Sequence, residues 1–155
     1  VDKRLDIQAT AVYGNMTVQD LEQLDLCYAP PFGAARDAVI LSGMIAANTQ
    51  RGISPSVTPS ALFQEMRSPK PPFLIDVRTR FEYKMEHLPE AVNIPLEQLR
   101  ERLAEIPRDR PVVTQCNVGY RSYMAQQVLR QHGFQDVRNL SGGYGLAGQL
   151  LDRDT

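Results

Sequence analysis

Short apolar runs alternate with helical patterns through the second two-thirds of this chain, and that alternation restricts it to an α/β fold. Phe73-Leu74-Ile75-Asp76-Val77 is an apolar run broken only by Asp76, the pattern of a strand covered on both faces of a parallel sheet. Ala91 to Ile94, Pro111-Val112-Val113-Thr114-Gln115 and Val137-Arg138-Asn139-Leu140 repeat it. Val57-Thr58-Pro59-Ser60 reads as a short strand and a helix start. That helix continues through Ala61 to Met66 and is closed by Ser68-Pro69-Lys70-Pro71-Pro72. Leu96, Leu99 and Leu103 recur at helical spacing and predict an amphipathic helix facing the sheet. Tyr123 to Arg130 predicts another, and a last helix runs through Leu146, Leu150 and Leu151. Strands alternating with helices predict an open sheet, which takes its ligands beyond the carboxyl ends of the strands.

One strand end carries unusual chemistry. Cys116-Asn117-Val118-Gly119-Tyr120-Arg121-Ser122 follows the run ending at Gln115 and opens into the helix pattern from Tyr123. Amides at a helix N-terminus are unpaired and partly positive, so they favour an anion such as a thiolate or persulfide sulfur. Gly119 lets the loop curl inward, and Arg121 adds a permanent positive charge. A free thiol titrates near 8.5, and such surroundings can bring it to roughly 3.5–7.5. The competing reading is a small buried cysteine at a strand end.

Bulk properties exclude several classes. A hydrophobic content of 43% and a charged content of 23% describe an ordinary globular protein. With a net charge of -1 there is no electrostatic case for nucleic acid or an anionic membrane. The longest apolar stretch, Ala38 to Ala47, is too short to span a bilayer, and no secretion signal is visible. Cys27 and Cys116 do not make a disulfide framework, so a reducing cytoplasm is the expected location. The start at Val1 suggests a fragment of a longer protein.

Three separated motifs agree in order and spacing: Phe73 to Arg78 with Glu82-Tyr83, then His87-Leu88-Pro89-Glu90-Ala91-Val92-Asn93-Ile94-Pro95, then the Cys116 loop followed by Asn139-Leu140-Ser141-Gly142-Gly143-Tyr144. Together they resemble the rhodanese domain, the single-domain sulfurtransferase fold, over roughly residues 54–152. The resemblance implies a five-stranded parallel sheet with helices on both faces. It also implies Cys116 as catalytic residue, with Asn117, Val118, Gly119, Tyr120, Arg121 and Ser122 around the substrate sulfur. Glu86 and Glu90 stand where glycines are common in the family, and no tryptophan follows Gly142-Gly143. Four residues separate Cys116 from Arg121. Related phosphatases and arsenate reductases have one more, to seat a tetrahedral oxyanion, so the shorter loop favours sulfur. The expected reaction moves sulfane sulfur from thiosulfate, polysulfide or a small persulfide through Cys116 to a thiol or cyanide. The alternative is a non-catalytic binding or dimerisation module.

Residues 1–52 form a separate segment, with the boundary at Gln50-Arg51-Gly52-Ile53-Ser54-Pro55, and the sulfurtransferase domain takes residues 53–155. Thr17 caps a short helix carried on by Leu21, Leu24 and Leu26, Pro30-Pro31-Phe32-Gly33 stops it, and Ala34 to Asn48 reads as another helix. Val1 to Asp6, Thr17-Val18, Asp25 to Gly33 and Asp37 resemble the end of the dimerisation domain in FAD-dependent pyridine nucleotide-disulfide reductases, a group with NADH oxidases and coenzyme A-disulfide reductases. Some members carry a rhodanese domain behind this segment. The resemblance implies a homodimer and a parent holding FAD, NAD(P)H and possibly coenzyme A, with Tyr28 near the reductase site. Phe32 stands where tyrosine is frequent. Gly142-Gly143-Tyr144-Gly145 does not read as a nucleotide-binding loop in this context, so no nucleotide cofactor is expected in this chain itself.

The remaining candidates read more simply. Asp76 and Arg78 lie just past a buried strand, where pairing with Glu82 would build scaffolding or a pocket rim. Tyr120 stands either as a pocket wall or as a cover on the helix start. His87 and His132 lack metal-ligand neighbours, and Cys27 reads as a small packed side chain.

Overall fold

The computed structural model describes residues 2–27, 29, 31 and 36–151. The chain divides into two compact units, Val1–Ile53 and Ser54–Thr155.

The first unit contains α1 (Asp2–Tyr13), α2 (Val18–Glu22) and α3 (Ala38–Gln50). Thr17 caps α2 reciprocally: its hydroxyl accepts from the Asp20 amide at 3.2 Å, and the Asp20 carboxylate accepts from the Thr17 amide at 2.7 Å. The helix is shorter than the leucine spacing suggests. The Gln23 amide turns back to the Asp20 carbonyl at 3.2 Å and leaves Leu24 and Leu26 outside it. The next helix starts at Ala38, because the Asp37 carboxylate accepts from the Val39 amide at 2.9 Å and sets the cap there. Ala34, where it was expected to start, lies outside the described residues. The helix α1 has no counterpart in the sequence pattern, because Ala11 is its one buried residue and no apolar stripe marks a face. Cys27 is exposed and not packed, since residues 24–27 form no regular element that could cover it.

The second unit holds β1 (Ser56–Val57), α4 (Pro59–Met66), β2 (Phe73–Asp76), α5 (Arg80–Met85), β3 (Val92–Asn93), β4 (Val112–Gln115), α6 (Tyr120–Gln131), β5 (Val137–Leu140) and α7 (Gly143–Leu151). Its five strands are all parallel, in the order β1-β5-β4-β2-β3. Successive strand residues face opposite sides, so Ile75, Val112 and Val137 join the α6 side with Ala125 and Leu129. Leu74, Val113 and Leu140 join Leu62 of α4 and Ala147 of α7 on the other. Helices therefore cover both faces, as an all-parallel sheet requires.

The segment expected to be one amphipathic helix forms two 3-10 turns instead, Leu96–Gln98 and Leu103–Glu105. Leu99 and Ile106 enter the core with Leu96 and Leu103 packed against it. The three-residue steps Leu96 to Leu99 and Leu103 to Ile106 match the period of the tighter helix. Among the described residues no helix is long and apolar enough to cross a membrane.

Gln126 of α6 ties the start of edge strand β1 to β5 beside it. It is fully buried, donates to the Pro55 carbonyl at 2.7 Å and the Val137 carbonyl at 2.8 Å, and accepts from the Ser54 hydroxyl at 2.6 Å. Gln126→Leu fills the volume but strands those groups, so urea unfolding should show a loss of about 2–4 kcal/mol, given about 1–3 per unmade buried bond. An unchanged midpoint would remove Gln126 from this role.

Candidate active site

Cys116 is the first residue after β4, the central strand, at its carboxyl end. Its side chain is turned toward α6 and is 1% exposed. The Gly119 amide donates to the Cys116 sulfur at 3.1 Å, and the Ser122 hydroxyl lies 3.4 Å from it. Gly119 is the N-cap of α6 at φ +122°, a conformation that glycine adopts without strain. The sulfur therefore rests where the unpaired amides of the α6 N-terminus converge. Burial pushes the Cys116 thiol up, but the Ser122 hydroxyl and the amides of Ser122, Gly119 and Val118 outweigh it and hold the thiol below its ordinary value. Val118 and Tyr120 stand on the rim, 71% and 73% exposed, so Tyr120 does not close over the helix start. Asn117 is exposed beside them.

The loop is held from outside by three elements. The first is the start of α7: the Tyr144 amide donates to the Cys116 carbonyl at 2.8 Å and the Gly145 amide to the Asn117 carbonyl at 2.9 Å. This contact requires Gly143, where a Cβ would lie 2.3 Å from the Cys116 carbonyl oxygen. The second is Asn139 of β5, which donates to the Gly119 carbonyl at 3.1 Å. The third is Thr114 of β4, which donates to the Ser122 carbonyl at 3.0 Å. These bonds fix the loop while the amides of Val118, Gly119 and Ser122 face the sulfur.

The charged residues pair differently from the expected pattern. Arg78 does not pair with Glu82. It closes on Asp76, with its Nη2 2.7 Å from a carboxylate oxygen, and both are buried. Gln115 donates to the same carboxylate at 3.0 Å, and the Arg78 guanidinium stacks on the Tyr144 ring at 4.2 Å. Two residues of separation across a strand end bring Arg78 back over Asp76, leaving Glu82 on α5 free to turn outward. Glu82 instead takes a two-pronged ion pair from Arg121, at 2.8 and 2.6 Å. The Arg121 fork, acting against partial burial and helped by Thr79, holds the Glu82 carboxyl at about 2. Glu82 and burial have opposite effects on Arg121, and the net result, with a contribution from Cys116, is a raised pKa.

Thus Cys116, Gly119, Arg121, Ser122 and Glu82 come together, while Asp76 and Arg78 brace α7 from the other sheet face. Tyr28 lies outside the described residues. Asn139, Gly143 and Tyr144 were not singled out as loop supports. The signal available is the pair Gly142-Gly143 one residue past a strand, which in sequence reads as part of a family motif and not as a support for the loop. An apolar cleft of about 320 Å³, lined by Leu62, Met66, Leu74, Leu88 and Leu151 among others, contains no residue of the loop. Among the described residues no group of three or more His, Cys, Asp or Glu could hold a metal ion.

Comparison with known proteins follows the same division. The family described as rhodanese-like domain matches residues 58–146. A sulfurtransferase of Allochromatium vinosum is 39% identical over 83 residues, 54% of this chain and 78% of that protein. The thiosulfate sulfurtransferase PspE of Escherichia coli is 39% identical over 70 residues, 44% of this chain and 67% of that protein. Among solved structures, reduced Bacillus anthracis CoADR-RHD aligns with TM-score 0.91 and 38% identity, covering 99% of this chain and 27% of that one. An NAD-dependent persulfide reductase from A. fulgidus aligns with TM-score 0.78 and 36% identity, covering 94% and 25%. This chain thus spans about a quarter of the length of those two proteins. On the match across residues 58–146 and the parallel sheet that carries it, the chain belongs to the rhodanese-like domain family.

Proposed function

We propose that this chain is a sulfurtransferase in which Cys116 carries sulfane sulfur as a persulfide. The observation that carries this reading is the Cys116 sulfur at the focus of the loop amides, with the Gly119 N–H at 3.1 Å. In the first stage the Cys116 thiolate attacks the outer sulfur of thiosulfate, a polysulfide or a small persulfide. The donor's S–S bond breaks, its remainder leaves with the electron pair as sulfite or a thiolate, and Cys116 becomes a persulfide. A thiol or cyanide then attacks the outer sulfur and returns the Cys116 thiolate. Covalent catalysis of this kind divides one hard transfer into two easier ones. The same amides that lower the thiol pKa stabilise the persulfide anion.

Phosphate and arsenate chemistry fit less well. Their cradle needs an arginine aimed at the oxyanion, and here the Arg121 fork is engaged by Glu82. Cys116 at 1% exposure also suits attack on a narrow, protruding centre, such as a terminal sulfur, better than on a tetrahedral ester.

The likeness along 99% of the chain to CoADR-RHD supports a larger parent in which residues 1–52 end a reductase dimerisation domain. In that parent the sulfurtransferase domain would serve a flavin- and NAD(P)H-dependent disulfide or persulfide reductase, with coenzyme A as a candidate carrier, in the cytoplasm. The glycines after β5 offer no pyrophosphate cradle, since the Cys116 and Asn117 carbonyls fill the space at Gly143. FAD and NAD(P)H would therefore be held by other domains, and no step of the sulfur transfer passes through them. Leu5, Val12, Tyr13, Leu41 and Ile45 are exposed on α1 and α3, which supports self-association through the first unit.

Three measurements test this reading. Incubation with thiosulfate or polysulfide should add one sulfur atom to the intact mass, cyanide should remove it, and Cys116→Ser should never gain it. A Cys116→Ser variant that still turns over would sink the assignment. The rate of Cys116 alkylation should rise with pH through a midpoint below the ~8.5 of a free thiol. Because the Ser122 hydroxyl favours the thiolate, Ser122→Ala should move that midpoint up, and an unmoved midpoint would count against the contact. Finally, the full chain should sediment as a dimer and residues 53–155 alone as a monomer. The same association state for both would contradict self-association through the first unit.

A further inference from the structure

The loop from Cys116 to Ser122 contains a single charged side chain, Arg121, and that charge is already matched. Both Arg121 Nη atoms reach Glu82, at 2.8 and 2.6 Å, across 39 positions of sequence. The Glu82 carboxylate is fixed in turn. The Thr79 amide donates to it at 2.9 Å and the Thr79 hydroxyl at 2.8 Å, which ties it to the first turn of α5. Of the other charges nearby one pair is internally matched, and Arg80 and Glu86 keep opposite charges beside neutral partners. Arg78 is closed on buried Asp76, Arg80 bonds neutral Gln98 at 3.2 Å, and Glu86 accepts from the Tyr144 hydroxyl at 2.8 Å. Thiolate, guanidinium and carboxylate thus form a line of alternating charge whose sum, with Cys116 ionised, is one negative charge.

We propose that Glu82 is a specificity-determining residue that cancels the attraction of Arg121 for anions and turns the site away from doubly charged donors. A donor with one negative charge at its reacting end meets less repulsion. This inference rests on the sulfur-transfer reading and names which donors that site prefers. The side chains of Arg121 and Glu82 are 35% and 34% exposed, so the discrimination is moderate and salt-sensitive.

Two donors isolate the charge. Thiosulfate carries two negative charges and methanethiosulfonate carries one, and both offer a sulfane sulfur bonded to a sulfonyl group. With either, the Cys116 thiolate forms the new S–S bond while the donor's S–S bond breaks. Sulfite or methanesulfinate leaves with the electron pair, and charge and atoms balance without a further reactant.

The test is the ratio of kcat/KM for thiosulfate to that for methanethiosulfonate, with cyanide as acceptor, in the full chain. Glutamine keeps the carbonyl oxygen that accepts from Thr79, so Glu82→Gln removes the charge and retains the cap. It should raise the ratio about three- to tenfold at low salt, with the gain shrinking as salt is added. Arg121→Gln should lower the ratio, and the double variant should return it toward the parental value. A merely structural role would reduce both donors together and leave the ratio where it was. An unchanged or lower ratio in Glu82→Gln, or a double variant that does not restore it, overturns the proposal. If neither donor loads Cys116 in the parental chain, the sulfur-transfer reading itself fails; loading by both with an insensitive ratio defeats the charge argument alone.

Discussion

The approach of the α7 N-terminus to the Cys116 peptide is the contact on which the site depends. Two amides of that helix take the carbonyls of Cys116 and Asn117, at 2.8 and 2.9 Å. The Asn117 carbonyl and the Val118 N–H belong to one peptide, so holding that carbonyl outward turns the Val118 N–H inward. Asn139 and Thr114 fix the loop further along, at the Gly119 and Ser122 carbonyls. The result is an anion cradle made chiefly of amides, with the one adjacent cation, Arg121, matched by Glu82. Its partial charges come from backbone dipoles fixed in place, which need no reorganisation when a sulfur anion arrives.

This arrangement assigns different tasks to the two sheet faces. On the α6 face, the sulfur sits among apolar side chains that make an isolated anion expensive and so make each amide count for more. On the α7 face, Asp76, Arg78 and Gln115 form a buried polar group that holds Tyr144, and through it the turn beneath the loop. Removing either charge of that buried pair would leave the other uncompensated, so this support is rigid where the Arg121–Glu82 pair, nearer solvent, is adjustable.

Much of this could be read from the sequence because the strands are short, apolar and bounded by strong punctuation. Pro71-Pro72 before Phe73 and Pro111 before Val112 mark strand starts, and a cysteine at the end of one such run is placed by the fold class alone. What stayed hidden involves side chains that meet across long separations. Glu82 could not be matched to Arg121, because local spacing offered Asp76 and Arg78 as nearer candidates. Gly143 looks like any turn glycine until the Cys116 carbonyl is placed against it. The Leu96 to Leu103 segment misled because a three-residue step suits both helix types, and the four-residue step from Leu99 to Leu103 spans the break between two turns. In the first unit, α1 shows no apolar stripe because it buries little.

The central claim is that fixed loop amides hold the transferred sulfur, and amide chemical shifts test it most directly. The full chain, labelled with nitrogen-15, would be recorded before loading, after loading Cys116 with sulfur, and after discharge with cyanide. The amide protons of Val118, Gly119 and Ser122 should move downfield on loading and return on discharge. A chain that demonstrably carries the extra sulfur while those amides stay unmoved would contradict the cradle.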